Sequence, residues 1–483
     1  MPRITTLSLL LSAAFAFAGC AVGPDYQSPS VALPGTWRNA AAAQARAASV
    51  APDLAAWWRG FGDAGLDRVI AQVVARNLDL AQAGARIARS RAEARSLSAA
   101  LLPRGEVLTS ATRVRQSLLD PSARIARGAP AFQRDFTQDD VGVAASWELD
   151  LFGGRLRERE AARADVDAAI ADGDAMRVSL AAEAADAYLQ LRGEQQRLAL
   201  AREQERIDEQ LVGLVGQRVQ EGLSAERELH QAQAALEGVH ASMPPLLAAI
   251  EVQLQRLRVL AGDLPDDAHD ALAAAAPLPA APALPAGAQP SELLRRRPDI
   301  VAAERRLAAA NARIGAALSE YYPKVSLAAL LGVSSIESGR LFSDDAVQHQ
   351  LGLGLRWRLF DFGRVDAEVA AARGRDAEAL AAYRATALRA SAEVETALSD
   401  LVQQEARASA LTRQIGQLRQ AREQSQQAYD GGAISLIEVL DADRQLLAAS
   451  DQLSSAQAGA GRAAVACFRA MGGGWSPATL ASR

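Results

Sequence analysis

The strongest pattern in this chain is an alternation of apolar with small or polar residues that stops abruptly and gives way to a helical period. Over residues 351–359, Leu351, Leu353, Leu355, Trp357 and Leu359 share one face of an extended strand, and Gly352, Gly354, Arg356 and Arg358 share the other. The run passes through Asp361-Phe362-Gly363-Arg364 into a helical pattern far too long for a compact domain. The same passage occurs earlier, where Val141, Val143, Ala145, Trp147, Leu149 and Leu151 alternate with Gly142, Ala144, Ser146, Glu148 and Asp150 before Gly153-Gly154 open another long helix. Two more strands are expected, at residues 107–114 and at 325–333, the second with Val325, Leu327, Ala329, Leu331 and Val333 on one face. Such alternation fits a soluble sheet with one face covered, or a membrane barrel with lipid outside and water inside. Periodicity alone does not choose between them.

The intervening segments read as helices. Leu66, Ile70, Val73, Asn77, Leu80, Gly84 and Ile87 make one stripe through residues 63–102, which Pro103 ends. Residues 155–220 hold no proline and predict a single helix, on the order of 100 Å long at about 1.5 Å per residue. Two adjacent seams run along it, Leu180, Ala184, Ala187, Leu191 and Leu198 beside Val178, Ala181, Ala185 and Tyr188, so it packs against two neighbours. A return helix at 227–260 carries Pro244-Pro245, which should kink or interrupt it. A Pro/Ala-rich linker follows, and then the design repeats: a helix from Asp299 to Tyr321-Tyr322-Pro323, a strand pair, a long helix over 364–429 and a return helix from Leu436. Trp147 and Trp357, Gly222 and Gly432, and Glu228 and Glu438 each lie 210 positions apart, which points to an internal duplication. Trp147 and Trp357 close the second and fourth strands, where membrane-interface aromatics belong.

Each half thus supplies one hairpin, and four strands cannot close a barrel when the smallest membrane barrels need about eight. Open edges are not tolerated in lipid. Chains must therefore pool their strands, and with them their helices, and a pooled barrel continuous with a pooled helical tube is a conduit.

The first twenty residues suit an exported protein. Arg3, an apolar run to Phe17 and Ala18-Gly19-Cys20 read as a secretory signal with small residues before a cysteine. They resemble a bacterial lipoprotein signal, in which Cys20 becomes the acylated first residue; Phe17 stands where that pattern usually has Leu, and Ala21 rather than Asp implies sorting to the outer membrane. With Cys20 acylated, no second cysteine remains for Cys467 to form a disulfide with, which excludes a disulfide framework. With 49% hydrophobic and 23% charged residues and a net charge of −5, the 483-residue chain is too balanced for disorder and gives no support for nucleic-acid binding. No later window offers the 18 or more uncharged apolar residues of a membrane helix.

Four motifs spread over the mature chain carry a family resemblance: Gly19-Cys20-Ala21-Val22-Gly23-Pro24-Asp25-Tyr26, Trp58-Arg59-Gly60-Phe61-Gly62-Asp63, Arg296-Arg297-Pro298-Asp299-Ile300-Val301-Ala302-Ala303-Glu304-Arg305 and Gly472-Gly473-Gly474-Trp475. The chain resembles the TolC-like outer-membrane factors, in particular the NodT-type lipoproteins of RND efflux systems. The resemblance implies a mixed α and β membrane protein: a homotrimer with a twelve-stranded β-barrel, four strands per chain, continuous with a long periplasmic α-helical barrel. It implies work with a periplasmic membrane-fusion adaptor and an inner-membrane RND pump, contact with outer-membrane lipid, no cofactor, and export of small molecules. On this reading residues 1–19 are the signal peptide, 20–62 a lipid-anchored tether and equatorial segment, 63–262 the first repeat, 263–297 an equatorial linker, 298–471 the second repeat and 472–483 a tail.

The same resemblance places a periplasmic gate at the turn after the second long helix. Glu438 and Asp441 are three apart on one helix face, so three chains would converge six carboxylates on the tube axis and attract cations. Glu228 stands where the family holds the gate shut by contact with a neighbouring Tyr429, while the position that can supply an arginine to that clamp is Ile434 here. No phosphate loop, nucleophile elbow or metal-spaced histidine cluster supports an enzyme; His230, His240, His269 and His349 are scattered. Two other readings stay open: the channel of a type I protein secretion system, and a lipid-anchored periplasmic coiled-coil adaptor that forms no pore.

Overall fold

The computed structural model describes residues 21–31, 35–39, 53–130, 132–262, 271–284 and 295–476; the expected signal peptide, Cys20 and the end of the tail lie outside them. In chain order the elements are a 3-10 helix (Leu54–Phe61), α1 (Ala64–Arg76), α2 (Leu78–Ala99), β1 (Arg104–Arg115), α3 (Pro121–Ala126), β2 (Asp135–Leu149), α4 (Gly154–Gln220), α5 (Glu226–Leu260), α6 (Pro298–Ser319), β3 (Lys324–Ser335), β4 (Val347–Arg356), α7 (Arg364–Asp430) and α8 (Leu436–Ala470). The duplication is exact in these bounds: α4 and α7 hold 67 residues each, α5 and α8 hold 35 each, and each pair starts 210 positions apart. The chain divides into two compact units, residues 1–29, 88–168 and 304–382 in one, and 30–87, 169–303 and 383–483 in the other.

The first unit is built on a sheet of order β1-β2-β3-β4, antiparallel throughout. Register keeps most of the large apolar residues of the four strands on one face, as in Val107↔Val143, Val143↔Leu331 and Leu327↔Leu353. That face is uncovered: Val107 is 74% exposed, Leu331 64%, Leu351 82% and Leu353 73%. Water would make such a patch costly, so this observation selects the lipid-facing alternative that the sequence left open. The opposite face is polar, with Ser110 Oγ and Gln138 Nε2 both donating to Asp140, at 3.1 and 3.2 Å. β1 begins at Arg104 and is longer than expected, because a full antiparallel partner in β2 pairs its whole length. β4 is displaced from the expected strand: it begins four residues earlier, at Val347, and ends at Arg356 although the alternation continues to Leu359. The partner of Arg356 is Lys324, the first residue of β3, so no described residue pairs with 357–359.

Each hairpin is tied to the helix before it by the same contact. Trp147 Nε1 donates to Leu101 O and Trp357 Nε1 to Tyr321 O, both at 2.9 Å, and the two indoles remain 36% and 51% exposed. An apolar ring facing outward with its N–H satisfied suits a membrane boundary. Beyond the strands, Asp150 accepts from Arg155 N and Leu156 N, and Asp361 accepts from Gly363 N and Val365 N, so each long helix starts on an aspartate cap. The N-terminal segment is docked here rather than free. Val22 N donates to Phe152 O at 3.1 Å, and the buried Arg157 guanidinium holds Val22 O, Gly23 O and Asp25.

The second unit holds the main core. Every residue of the two α4 seams is buried, and all but Val178 and Leu198 belong to one cluster with Trp57, Leu66, Ile70, Val73, Leu257, Leu401 and Phe468. The first helix is a correction: the stripe over 63–102 is two helices, because Asn77 takes an extended conformation between them. Its Oδ1 accepts from Asp79 N and Leu80 N, capping α2, and its Nδ2 donates to Leu260 O at 2.8 Å. Conversely, α5 runs unbroken through Pro244-Pro245; the carbonyls that lose donors belong to half-buried His240 and exposed Ala241, where water reaches them.

Candidate functional site

Three of the motifs converge in the second unit. Trp57 stacks on Phe468 at 5.2 Å and 7°, beneath Gly473, and Gly474 N donates to Leu54 O at 2.7 Å. Asp63 caps α1 through Gly65 N and Leu66 N and accepts from Tyr188 Oη at 2.9 Å. Arg297 is 8% exposed and joins three elements: its guanidinium reaches Asp299 at 2.7 Å, Glu393 of α7 at 2.8 Å and Ala470 O at the end of α8 at 3.1 Å. These motifs are structural joints. Apart from the local contacts of Arg297 with Asp299 and of Asp63 with its own helix, the partners in these joints lie from 96 to 420 positions apart, too far for local spacing to pair them.

The residues expected at a gate lie at the helix turns. Gly222 and Gly432 adopt φ values of 75° and 72°, a left-handed conformation that a side chain resists, and the following N–H groups of Leu223 and Ala433 reach back to Arg218 O and Ala428 O at 2.7 and 2.8 Å. These glycine caps reverse α4 into α5 and α7 into α8. Between the turns lies an apolar cluster of Val215, Ala232, Tyr429, Leu436 and Val439, with Ile434 packed against it. Glu438 is exposed on the first turn of α8, where the helix dipole favours an acid. Asp441 is half-buried and already engaged, accepting from Arg444 and from Gln445 Nε2 at 2.6 Å.

The clamp pair is not assembled within one chain. Glu228 is half-buried in the first turn of α5, and Tyr429 Oη is buried with no hydrogen-bond partner among the described residues. Its ring instead lies under the Arg218 guanidinium, 5.2 Å from the ring centre.

Two charged features at this site were not anticipated. Arg422 Nε donates to buried Asp443 at 2.8 Å, linking α7 to α8; the two stand at near-equal distances before and after Gly432, a spacing that a helical hairpin brings together. Among the described residues, buried Asp208 on α4 accepts from Gln204 Nε2 alone, at 2.8 Å. Burial pushes its carboxyl above the ordinary carboxylate range, and the Asp443 charge adds to the push while the Gln204 bond offsets part of it. Among the histidines, His240 lies between Glu205 and Glu237 and His230 beside Gln233, and no described group of three ligand-type residues is placed to hold a metal.

The model of the outer membrane efflux protein family matches residues 69–263 and 289–473, one match on each repeat. The chain is 32% identical to the pyoverdine export outer membrane protein OpmQ of Pseudomonas putida, over 96% of this chain and 97% of that one. It is 31% identical to outer membrane protein OprJ of Pseudomonas aeruginosa, over 98% and 96%. Among solved structures, the outer-membrane channel OprN aligns with a TM-score of 0.85 at 34% identity, covering 95% of this chain and all of that one. The open state of the Neisseria gonorrhoeae channel MtrE aligns at 0.83 and 26%, covering 95% and 99%. These likenesses, with an uncovered apolar sheet face and two open strand edges, overturn the pore-free adaptor reading. The chain belongs to the outer membrane efflux protein family and is a subunit of an outer-membrane channel, giving four strands to a trimeric twelve-stranded β-barrel and its long helices to a helical barrel.

Proposed function

We propose that three copies of this chain form the exit duct of a tripartite RND-type efflux system, receiving small organic molecules from a periplasmic adaptor and an inner-membrane pump. The observation that carries the duct is the four-stranded sheet with a lipid-type outer face, a polar inner face and unpaired edges, which only a shared barrel completes. Relatives of similar identity are named for pyoverdine export and toluene efflux, which supports an organic cargo over a secreted polypeptide. Cys20 is the proposed acyl anchor. The docking of Ala21 against Gly153, at the passage from β2 to α4, supports an anchor beside Trp147 and Trp357 at the membrane boundary.

The gate is proposed at the α7–α8 turn. Glu438 presents its carboxylate freely, whereas the Arg444 and Gln445 contacts leave Asp441 a weaker contributor to the field on the axis. Glu438→Ala with Asp441→Ala is expected to raise single-channel conductance in planar bilayers and weaken block by multivalent cations. Unchanged conductance and block in a correctly assembled trimer would place the constriction elsewhere.

A further inference from the structure

Three strands end their apolar outer face in the same way. Beyond Trp147, the lipid-side residues of β2 are Ala145, Val143 and Val141, and the next is Asp139; beyond Trp357, those of β4 are Leu355, Leu353 and Leu351, and the next is His349. In β1, Val107, Thr109 and Ala111 precede Arg113 on that face. Trp147 and Asp139 are eight positions apart, about 26 Å of strand and roughly 20 Å of height at a tilt of about 40°, close to the apolar band of an outer-membrane barrel. Arg113 therefore stands where the outer headgroups begin.

The hairpin tips lie past this level, at the strand ends opposite the helices, and they differ in charge. Residues 113–134 hold five arginines and one aspartate, a net of +4 in a chain whose total is −5. Residues 336–346 hold Glu337, Asp344 and Asp345 against Arg340, which is already paired with Asp345 at 2.8 Å. Of the five arginines, Arg115 pairs with Asp135 at 3.7 Å and Arg134 Nε donates to Gln116 O at 3.3 Å. Arg113, Arg124 and Arg127 are exposed, with no ion-pair partner among the described residues. Beside them Leu119 and Ile125 are 86% and 85% exposed. The segment is nevertheless fixed: Asp120 caps α3 through Ser122 N, and Gln116 Nε2 donates to Ser122 Oγ at 3.0 Å.

We propose that the β1–β2 tip binds phosphorylated anionic lipid of the outer leaflet, with Arg113, Arg124 and Arg127 on the phosphates and Leu119 and Ile125 covered by the same lipid. A guanidinium fork matches phosphate oxygens two at a time, and arginine beside large aliphatic residues is the composition that settles at a charged lipid boundary. The surface continues the lipid-facing side of the sheet, and its charge is the complement of such a headgroup. The acidic β3–β4 tip offers no such match. The proposal rests on the barrel's place in the outer membrane, with its helices in the periplasm and its tips outside, and is independent of the cargo.

Detergent-purified channel is titrated with lipid A, with lipid A stripped of its phosphates and with phosphatidylcholine, and the lipid retained per particle is read by native mass. Lipid A should bind, and the other two should bind roughly tenfold or more weakly; Arg113→Gln, Arg124→Gln and Arg127→Gln combined should lower lipid A binding by a similar factor. Leu119→Ser with Ile125→Ser should also weaken it. Asp344→Asn with Asp345→Asn should leave it unchanged. All these side chains are exposed, and the same spectra show whether each variant keeps its three chains. Equal binding with and without the phosphates, or full lipid A binding by the arginine variant, would overturn the proposal. Loss of the three-chain particle in both the arginine and the aspartate variants would also overturn it, by assigning the arginines to the acidic tip of a neighbouring chain.

Discussion

Arg297→Ala is expected to destabilise the folded chain by about 2–4 kcal/mol, the range for removing one partner of a buried, hydrogen-bonded charge network. Arg297 is buried, and its loss strands three acceptors at once: Asp299, Glu393 and the Ala470 carbonyl that closes α8. Asp299 and Glu393 are 39% and 48% exposed at the side chain, so water recovers part of their loss, which keeps the estimate below the fully buried limit. Arg297→Lys should recover little, because one ammonium cannot reproduce the two parallel bonds to Asp299. The measurement is the temperature at which the purified protein loses its folded form in detergent. Wild-type behaviour of Arg297→Ala would show that this joint does not hold the second unit together.

The second large effect is expected at the helix turn, with opposite signs for two substitutions. Arg422→Ala leaves Asp443, 10% exposed at its side chain, as an unpaired carboxylate near Asp208. Arg422 itself is 33% exposed, so the full buried-pair penalty is discounted to about 2 kcal/mol. Asp208→Asn keeps the capacity to accept from Gln204 and removes a charge that burial disfavours. A carboxyl whose folded pKa is raised stabilises the fold below its unfolded pKa, about 3.9, and loses that contribution as pH rises through the folded value. Wild type is therefore penalised at neutral pH. Asp208→Asn should slow hydrogen exchange of the amides around the α4 and α8 ends at neutral pH, and the gain should vanish near pH 3. Arg422→Ala should speed exchange there. Faster exchange in both variants would mean that Asp208 is held by a cation rather than isolated.

Element type and order were legible because the periods differ so plainly: a two-residue alternation at 141–149 and 351–356, and heptad-like seams along α4 and α7. The duplication was legible because both copies kept Trp, Gly and Glu at a constant spacing. Asn77 was misread because one polar residue at a buried stripe position looks the same whether it continues a helix or ends one; its bond to Leu260 O decides, and that partner is 183 positions away. The end of β4 was misread for a different reason. Its alternation continues to Leu359, but β3 begins at Lys324, opposite Arg356, so sequence pattern and in-chain pairing end at different residues. The turn charges were hidden because the repeats differ there: Val212 and Gln233 stand where Arg422 and Asp443 stand in the second copy, so duplication gave no signal.

The central claim is that separate chains pool four strands each into one outer-membrane conduit. Native mass measurement of the detergent-purified protein tests it most directly. The account predicts three chains per particle, each beginning at Cys20 and carrying added acyl mass, with no stable smaller species; a folded, stable monomer would contradict the barrel and the conduit together.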